Sequence, residues 1–394
     1  MERRSALRAV TESLLSYGPL TARTRQAEAR QLRVLHVFPT FAYGGVPLRI
    51  VDVANRLSEA YAHRCMALDG RTDAAERLST RTTWEVVRAP AASGGWLRPV
   101  LAASEALKAE APDLLCTYNW GTIDWAVANT LFAHRPHLHF ESGFGREEAQ
   151  RTLRRRDLYR RLALRGADAL VVPSRSLADL ARARGWIAPQ RIQQIVNGVD
   201  LAYYQAEITG RADTTPTVAS VSPLRAEKGV DRLIRLFAQT AQEVYAQLLI
   251  CGDGPERHRL ETLVHDLRLH DRVTFAGQLA DVRPVLRGCD VFAMTSYTEQ
   301  MPNALLQAMA SGRAVVAFDA GDIKAMLPEE QRPFVISQEA EKLFVQRLTD
   351  LIANPAQASD LGAANRRRVA ASYDITDMVR AYDRLYRMTA GHDV

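Results

Sequence analysis

The sequence predicts an α/β protein of two successive doubly wound domains facing a cleft. Three observations predict it. Leu32–Phe38 reads as an apolar run, as expected for a strand buried on both faces of a parallel sheet. Strand-like runs alternate with helix-length segments along the chain, the pattern of parallel sheets covered by helices. The alternation restarts at Thr217–Val221 after the polar stretch Ala202–Pro216, and 394 residues suffice for two domains of ordinary size.

The elements follow in order. After Leu32–Phe38 comes a loop with Gly44 and Gly45, and Pro47 opens a helix through Ala60. Further strands are expected at His63–Leu68, Glu85–Arg88, Leu114–Cys116, Leu138–Glu141, Ala169–Val172 and Ile192–Val196. Asn197-Gly198-Val199-Asp200 is a turn, and the linker after it sets a domain boundary near residue 210. The second series comprises Thr217–Val221, Leu248–Cys251, Val273–Ala276, Val291–Met294 and Val315–Ala317. This gives a basic arm over 1–31, a first domain over 32–209 and a second over 210–371.

The richest stretch runs from Asp290 to Gly321, DVFAMTSYTEQMPNALLQAMASGRAVVAFDAG. Pro302 takes the first helical position and Asn303–Ala310 continues the helix. The first N–H groups of a helix facing the ends of parallel strands make an anion site. Glu299, on the loop before it, is suited to hold hydroxyls attached to that anion. A ligand with phosphates and sugar hydroxyls satisfies both demands.

Composition narrows the class. Hydrophobic content is 47%, normal for a globular protein, and no apolar run approaches the roughly 20 residues of a membrane-spanning helix. The start, MERRSALRAVTESLL, lacks an apolar signal core. Cys65, Cys116, Cys251 and Cys289 are widely spaced, make no zinc pattern and read as reduced core residues of a cytoplasmic protein. No disulfide and no metal are expected.

The Asp290–Gly321 segment resembles the donor-site motif of the retaining glycosyltransferases of family 4, which have the GT-B fold of two Rossmann-like domains. That motif has two Glu separated by seven residues; here Glu299 is the first and Gln307 replaces the second. Asn197–Asp200 resembles the family's interdomain "NGVD", VSPLRAEKG at Val221–Gly229 its "VGRL.PEKG", and Cys251–Glu256 its "VGDGPE". The tail from Ser372 resembles the helix that crosses back to the first domain, placed here over 372–394. The resemblance implies roles. Lys228 neutralises the donor diphosphate; Pro223 stands where the family has an Arg, and Arg225 takes its place. The backbone at Gly44 and Gly45 approaches a phosphate, and Gly252 with the segment Met301, Pro302, Asn303, Ala304 and Leu305 belongs to the donor site. Glu299 holds sugar hydroxyls and Gln307 the ribose, while Gly277, Gln278 and Leu279 meet the nucleobase. Where the family often has His-Gly, this chain has Ser142-Gly143 after Glu141, and either Glu141 or Ser142 could touch the reacting sugar. His139 should point away if Ser142 points in. Tyr118, Asn119, Trp120 and Asp124 follow a strand and are candidates for the acceptor side.

Net charge is +6, concentrated in the arm and in a helix over 146–165 with eight arginines. The helix is either an anionic-membrane surface or a solvated face; no nucleic-acid motif accompanies the charge. The expectation is a metal-independent, retaining glycosyltransferase. It would take a nucleotide diphosphate sugar and a glycan or lipid-linked acceptor, on or near the inner face of a membrane. The alternative is a non-catalytic nucleotide-sugar-binding subunit.

Overall fold

The computed structural model describes residues 30–90, 97–143, 154–205 and 215–392. Arginines 3, 4, 8, 23, 25, 146 and 151 and the expected boundary near 210 lie outside them. Leu32–Val394 forms one compact unit carrying two parallel sheets. The first contains β1 (Leu32–Phe38), β2 (Tyr61–Ala67), β3 (Trp84–Val86), β4 (Leu114–Tyr118), β5 (His137–Phe140), β6 (Ala169–Val172) and β7 (Ile192–Gln194). Its order is β3-β2-β1-β4-β5-β6-β7. The second contains β8 (Thr217–Val221), β9 (Gln247–Cys251), β10 (Val273–Gly277), β11 (Val291–Met294), β12 (Ala314–Phe318) and β13 (Val335–Ile336), in the order β10-β9-β8-β11-β12-β13. β13 has only two residues, too short for a periodicity reading to find. The helix expected from Pro47 to Ala60 spans Gly45–Arg56.

Three inner strands are buried on both faces, which is why they lack alternation: Val34, Leu35, Val37 and Phe38 show it in β1, and every residue in β11 and β12. The four cysteines are buried. Each sheet reverses strand order once, between β1 and β4 and between β8 and β11. In doubly wound folds such reversals leave a crevice at the carboxyl ends of the strands.

The two crossings between sheets run side by side. Val199 N donates to Tyr373 O (2.9 Å) and Ile375 N to Val199 O (3.2 Å). A Cβ on Gly198 would lie 2.6 Å from Ile375 Cα, so only glycine permits this approach. The last helix, Ile375–Ala390, then packs Ile375, Met378, Val379, Tyr382 and Tyr386 into the core under the first sheet.

Candidate active site

Four loops follow the strands that flank the two reversals: after β1 (with Gly44 and Gly45), after β4 (Asn119 onward), after β8 (Arg225 and Lys228) and after β11 (Glu299 to Pro302). All four line a single cleft of about 1340 Å³. Neighbouring strands in the order add Ser142 from the end of β5, Gly252 from β9 and Gln278 and Leu279 from β10.

On the wall of the second sheet, Lys228 Nζ donates to Glu299 Oε1 at 2.6 Å, and Ser296 Oγ donates to the same oxygen at 2.7 Å. Glu299 is nearly buried and Lys228 partly so. Arg225 is exposed at the lip. Pro302 is the residue before the Asn303–Ala310 helix, with extended backbone (ψ 123°), rather than its first helical residue. Asn303 and Ala304, whose N–H groups come before the first intrahelical bonds, line the cleft. Gln307, half-buried, lines the cleft one turn on. Gly252 has φ +146°, and a Cβ there would collide with the Ser222 carbonyl oxygen. Glycine is therefore required where two loop backbones touch.

Several expected residues sit elsewhere. Leu305 is fully buried among Met301, Leu306 and Met309, because on a helix its position faces the sheet. Gly277 does not line the cleft; its carbonyl accepts from Gly252 N (2.8 Å) and its φ of +69° turns the chain so that Gln278 and Leu279 do. Tyr118 is among the residues lining the cleft but is fully buried at its floor: its ring stacks on Phe38 at 4.1 Å and its hydroxyl bonds His36 Nδ1 at 2.8 Å. Asp124 accepts from the Tyr159 hydroxyl (2.8 Å).

Glu141 is the main correction. It is 1% exposed and faces away from the cleft, with Oε2 3.4 Å from Arg160 Nε and 4.0 Å from His139 Nε2. Strand alternation accounts for it: His139 and Glu141 share one face and Ser142 takes the other. Burial holds His139 well below its usual pKa, with His137 and Arg160 adding to the effect, so the ring is neutral. Arg160, counted among the surface arginines of the basic helix, is buried, its guanidinium 4.9 Å from the Trp120 ring and 4.6 Å from Trp186. The helix observed there is Arg154–Ala163.

Sequence reading missed a bonded chain that ties the walls together. Arg49 Nη2 donates to Ser142 Oγ (2.8 Å) and Arg49 Nη1 to Asn197 Oδ1 (2.7 Å). Asn197 Nδ2 donates to Met301 O and Asn303 Oδ1 (both 2.8 Å), and Asn303 Nδ2 reaches Gly45 O (3.1 Å). The available signal was Arg49 itself, a charge on the helix face that also carries Ile50, Val53 and Ala54. A second bridge joins Ser174 Oγ to Gln300 Oε1 (2.9 Å) and the Asp322 carboxylate to Arg175 N (2.6 Å) and Ser176 N (3.0 Å).

Comparison with known proteins matches two family models in tandem: Glycosyltransferase Family 4 over residues 43–203 and Glycosyl transferases group 1 over 205–368. The chain belongs to the family 4 glycosyltransferases of the GT-B fold. Family members among curated proteins include the N-acetyl-alpha-D-glucosaminyl L-malate synthase of Bacillus anthracis. It is 24% identical over 57% of this chain and 61% of its own length. The lipopolysaccharide core biosynthesis glycosyltransferase LpsE of Rhizobium meliloti is 27% identical over 55% and 64%. The chain thus spans less than two thirds of the length of these relatives. Among solved structures, Anabaena Alr3699/HepE in complex with UDP and glucose superposes with a TM-score of 0.77 at 18% identity, covering 91% of this chain and 100% of that one. Sucrose-phosphate synthase from Thermosynechococcus elongatus gives 0.72 at 22%, covering 91% and 99%. Glu299 and Gln307 both line the cleft, eight residues apart on one loop-and-helix unit.

Proposed function

We propose that this chain is a retaining, metal-independent glycosyltransferase that moves a sugar from a nucleotide diphosphate donor to an acceptor hydroxyl. The observation that carries the reading is the convergence of both strand-order reversals on one cleft, with Lys228, Glu299, Gln307 and the Asn303 helix N-terminus on one wall. In this reading the diphosphate lies at the helix N-terminus, with Lys228, Arg225 and the backbone of Gly44 and Gly45 offsetting its charge. Glu299 holds sugar hydroxyls, Gln307 the ribose, and Gln278 and Leu279 the base. The bond from the anomeric carbon to the leaving phosphate oxygen breaks. A bond to the acceptor oxygen forms on the same face, and the acceptor proton passes to the leaving phosphate. No protein nucleophile is needed. UDP in the structure of the Anabaena protein and the activities named for the curated relatives support the donor class.

The acceptor in this reading is a lipid-linked or surface glycan, met at the cytoplasmic face of a membrane. Leu158 and Leu162 stand exposed on the Arg154–Ala163 helix beside Arg154, Arg155 and Arg161. Thr130 Oγ1 donates to Ala163 O (2.9 Å), which brings the exposed Leu131 and Phe132 to the same end. Apolar side chains ringed by arginine suit an anionic lipid surface. No described helix is long and apolar enough to cross a membrane.

A second reading, a nucleotide-sugar-binding subunit without turnover, is favoured by Gln307 and Ser142 standing where the family has Glu and His. A panel of nucleotide sugars tested by thermal shift identifies the donor, since a ligand stabilises the state it binds. Slow hydrolysis or transfer with the best binder supports the enzyme. Binding with no turnover against any acceptor preparation supports the subunit, and no stabilisation by any nucleotide sugar overturns both.

A further inference from the structure

Arg49 is 6% exposed, lines the cleft, and has no carboxylate within 4.0 Å among the described residues. Its two terminal nitrogens meet neutral oxygens, Asn197 Oδ1 and Ser142 Oγ, and its buried Nε has no hydrogen-bond partner there. Comparable interior arginines are compensated: Arg160 faces Glu141 and Arg232 faces Glu341. A buried guanidinium without a counter-charge is costly, and its cost falls when an anion joins it.

The group beside it is aimed and held. Ser142 Oγ accepts from Arg49, so its own proton is left to donate. Ser142 N donates to Asn119 Oδ1 (2.8 Å). Asn119 has φ +58° and ψ 179°, a conformation that residues other than glycine rarely adopt. Such backbone strain concentrates at ligand sites, where the surrounding structure over-determines it. The strained Asn119 fixes Ser142, Ser142 and Asn197 fix Arg49, and all four residues line the cleft.

We infer that Arg49 and Ser142 form an anion subsite on the wall of the first sheet, taking a carboxylate or phosphate carried by the transferred sugar or by the acceptor. It is separate from the diphosphate position, whose cations Lys228 and Arg225 come from the other sheet. The inference rests on reading the cleft as a sugar-transfer site and adds that one of the two substrates is itself acidic beyond its leaving group.

The test uses the full chain, its Arg49→Met and Arg49→Lys variants, and calorimetry. UDP-glucuronate against UDP-glucose probes an acidic transferred sugar. Glucose 6-phosphate against glucose, each with and without saturating UDP, probes an acidic acceptor. In the wild type one acidic probe should bind about tenfold or more tighter than its neutral counterpart, the scale of a charge-assisted hydrogen bond. Arg49→Met should erase that preference and leave UDP affinity within about twofold, while Arg49→Lys keeps part of it. Equal binding of acidic and neutral probes by the wild type overturns the subsite, and this arm needs no variant to fold. Loss of UDP affinity in Arg49→Met, with no acid preference at stake, assigns Arg49 to the diphosphate and also overturns it. If the wild type binds no nucleotide at all, the sugar-transfer reading fails. The comparison of glucose 6-phosphate with glucose without UDP then still judges the subsite.

Discussion

Lys228 and Glu299 are bonded to one another at 2.6 Å, so a donor entering this cleft must share or replace that contact. Lys228→Ala removes the cation proposed for the leaving diphosphate. Turnover should fall about 100- to 1000-fold, while stability should fall by no more than about 1–3 kcal/mol, the cost of a nearly buried carboxylate left with Ser296 alone. Parallel rate and denaturation measurements separate the two, and wild-type turnover in this variant removes Lys228 from the site. Gln307 is the other informative position. It is half-buried and lines the cleft, so Gln307→Glu places a carboxylate where ribose hydroxyls are proposed to lie. Donor affinity should hold or rise, because a carboxylate accepts stronger hydrogen bonds. Weaker donor binding together with a lower melting temperature would remove the ribose assignment.

At the scale of elements, the Arg175–Arg184 helix has a divided N-terminus. Its own Ser174 accepts from Leu177 N (3.2 Å), while Asp322, from the loop after β12, accepts from Arg175 N and Ser176 N. A helix of the first sheet is thus capped by a carboxylate of the second. Asp322→Ala should cost about 0.5–2 kcal/mol by chemical denaturation and loosen the walls of the cleft, seen as a larger radius of gyration in small-angle scattering. A stability loss with unchanged dimensions would mean that the remaining bridges, Arg49–Asn197–Asn303 and Ser174–Gln300, hold the walls. The Arg154–Ala163 helix carries a different prediction. Vesicle binding should require anionic lipid and weaken with salt, because exposed charges are screened within about 10 Å at 0.1 M. Leu158→Ser with Leu162→Ser should reduce it with no change in fold. Equal binding to neutral vesicles, or none to anionic ones, would make this face a solvated one.

Across the whole molecule, the first sheet buries four histidines that acid must charge. His63 is pushed down to about 4 and His137 to about 3, in both cases by burial, and His36 and His139 lie well below the usual value, chiefly from burial. Above pH about 6.5 these rings are neutral in folded and unfolded chains alike and contribute no pH dependence. Below it the unfolded chain takes up protons that the folded chain refuses, so stability falls as pH falls. The slope approaches about 1.4 kcal/mol per pH unit for each histidine until the folded value is reached. His137→Phe should reduce the slope between pH 6 and 4. An unchanged slope would mean that other groups carry the acid sensitivity.

Alternation of apolar runs with helical segments, and the glycines and prolines between them, were enough to locate twelve of the thirteen strands to within a few residues. They placed Gly44, Arg225, Lys228 and Glu299 on loops at strand ends and Gln307 on the helix that follows, because strand periodicity and turn chemistry are local; the roles expected of Arg225, Lys228 and Gln307 came from the family resemblance. Which side chains turn into the cleft was a tertiary decision. Glu141 and Ser142 are neighbours in sequence, yet a two-residue period sends one to Arg160 and the other to Arg49. Leu305 and Leu306 separate on helical phase, and only Leu306 lines the cleft. Arg49 gained its place from contacts with Ser142, 93 residues away, and Asn197, 148 residues away. No local pattern encodes such contacts, since they exist only once two strand-order reversals have brought distant loops to the same crevice.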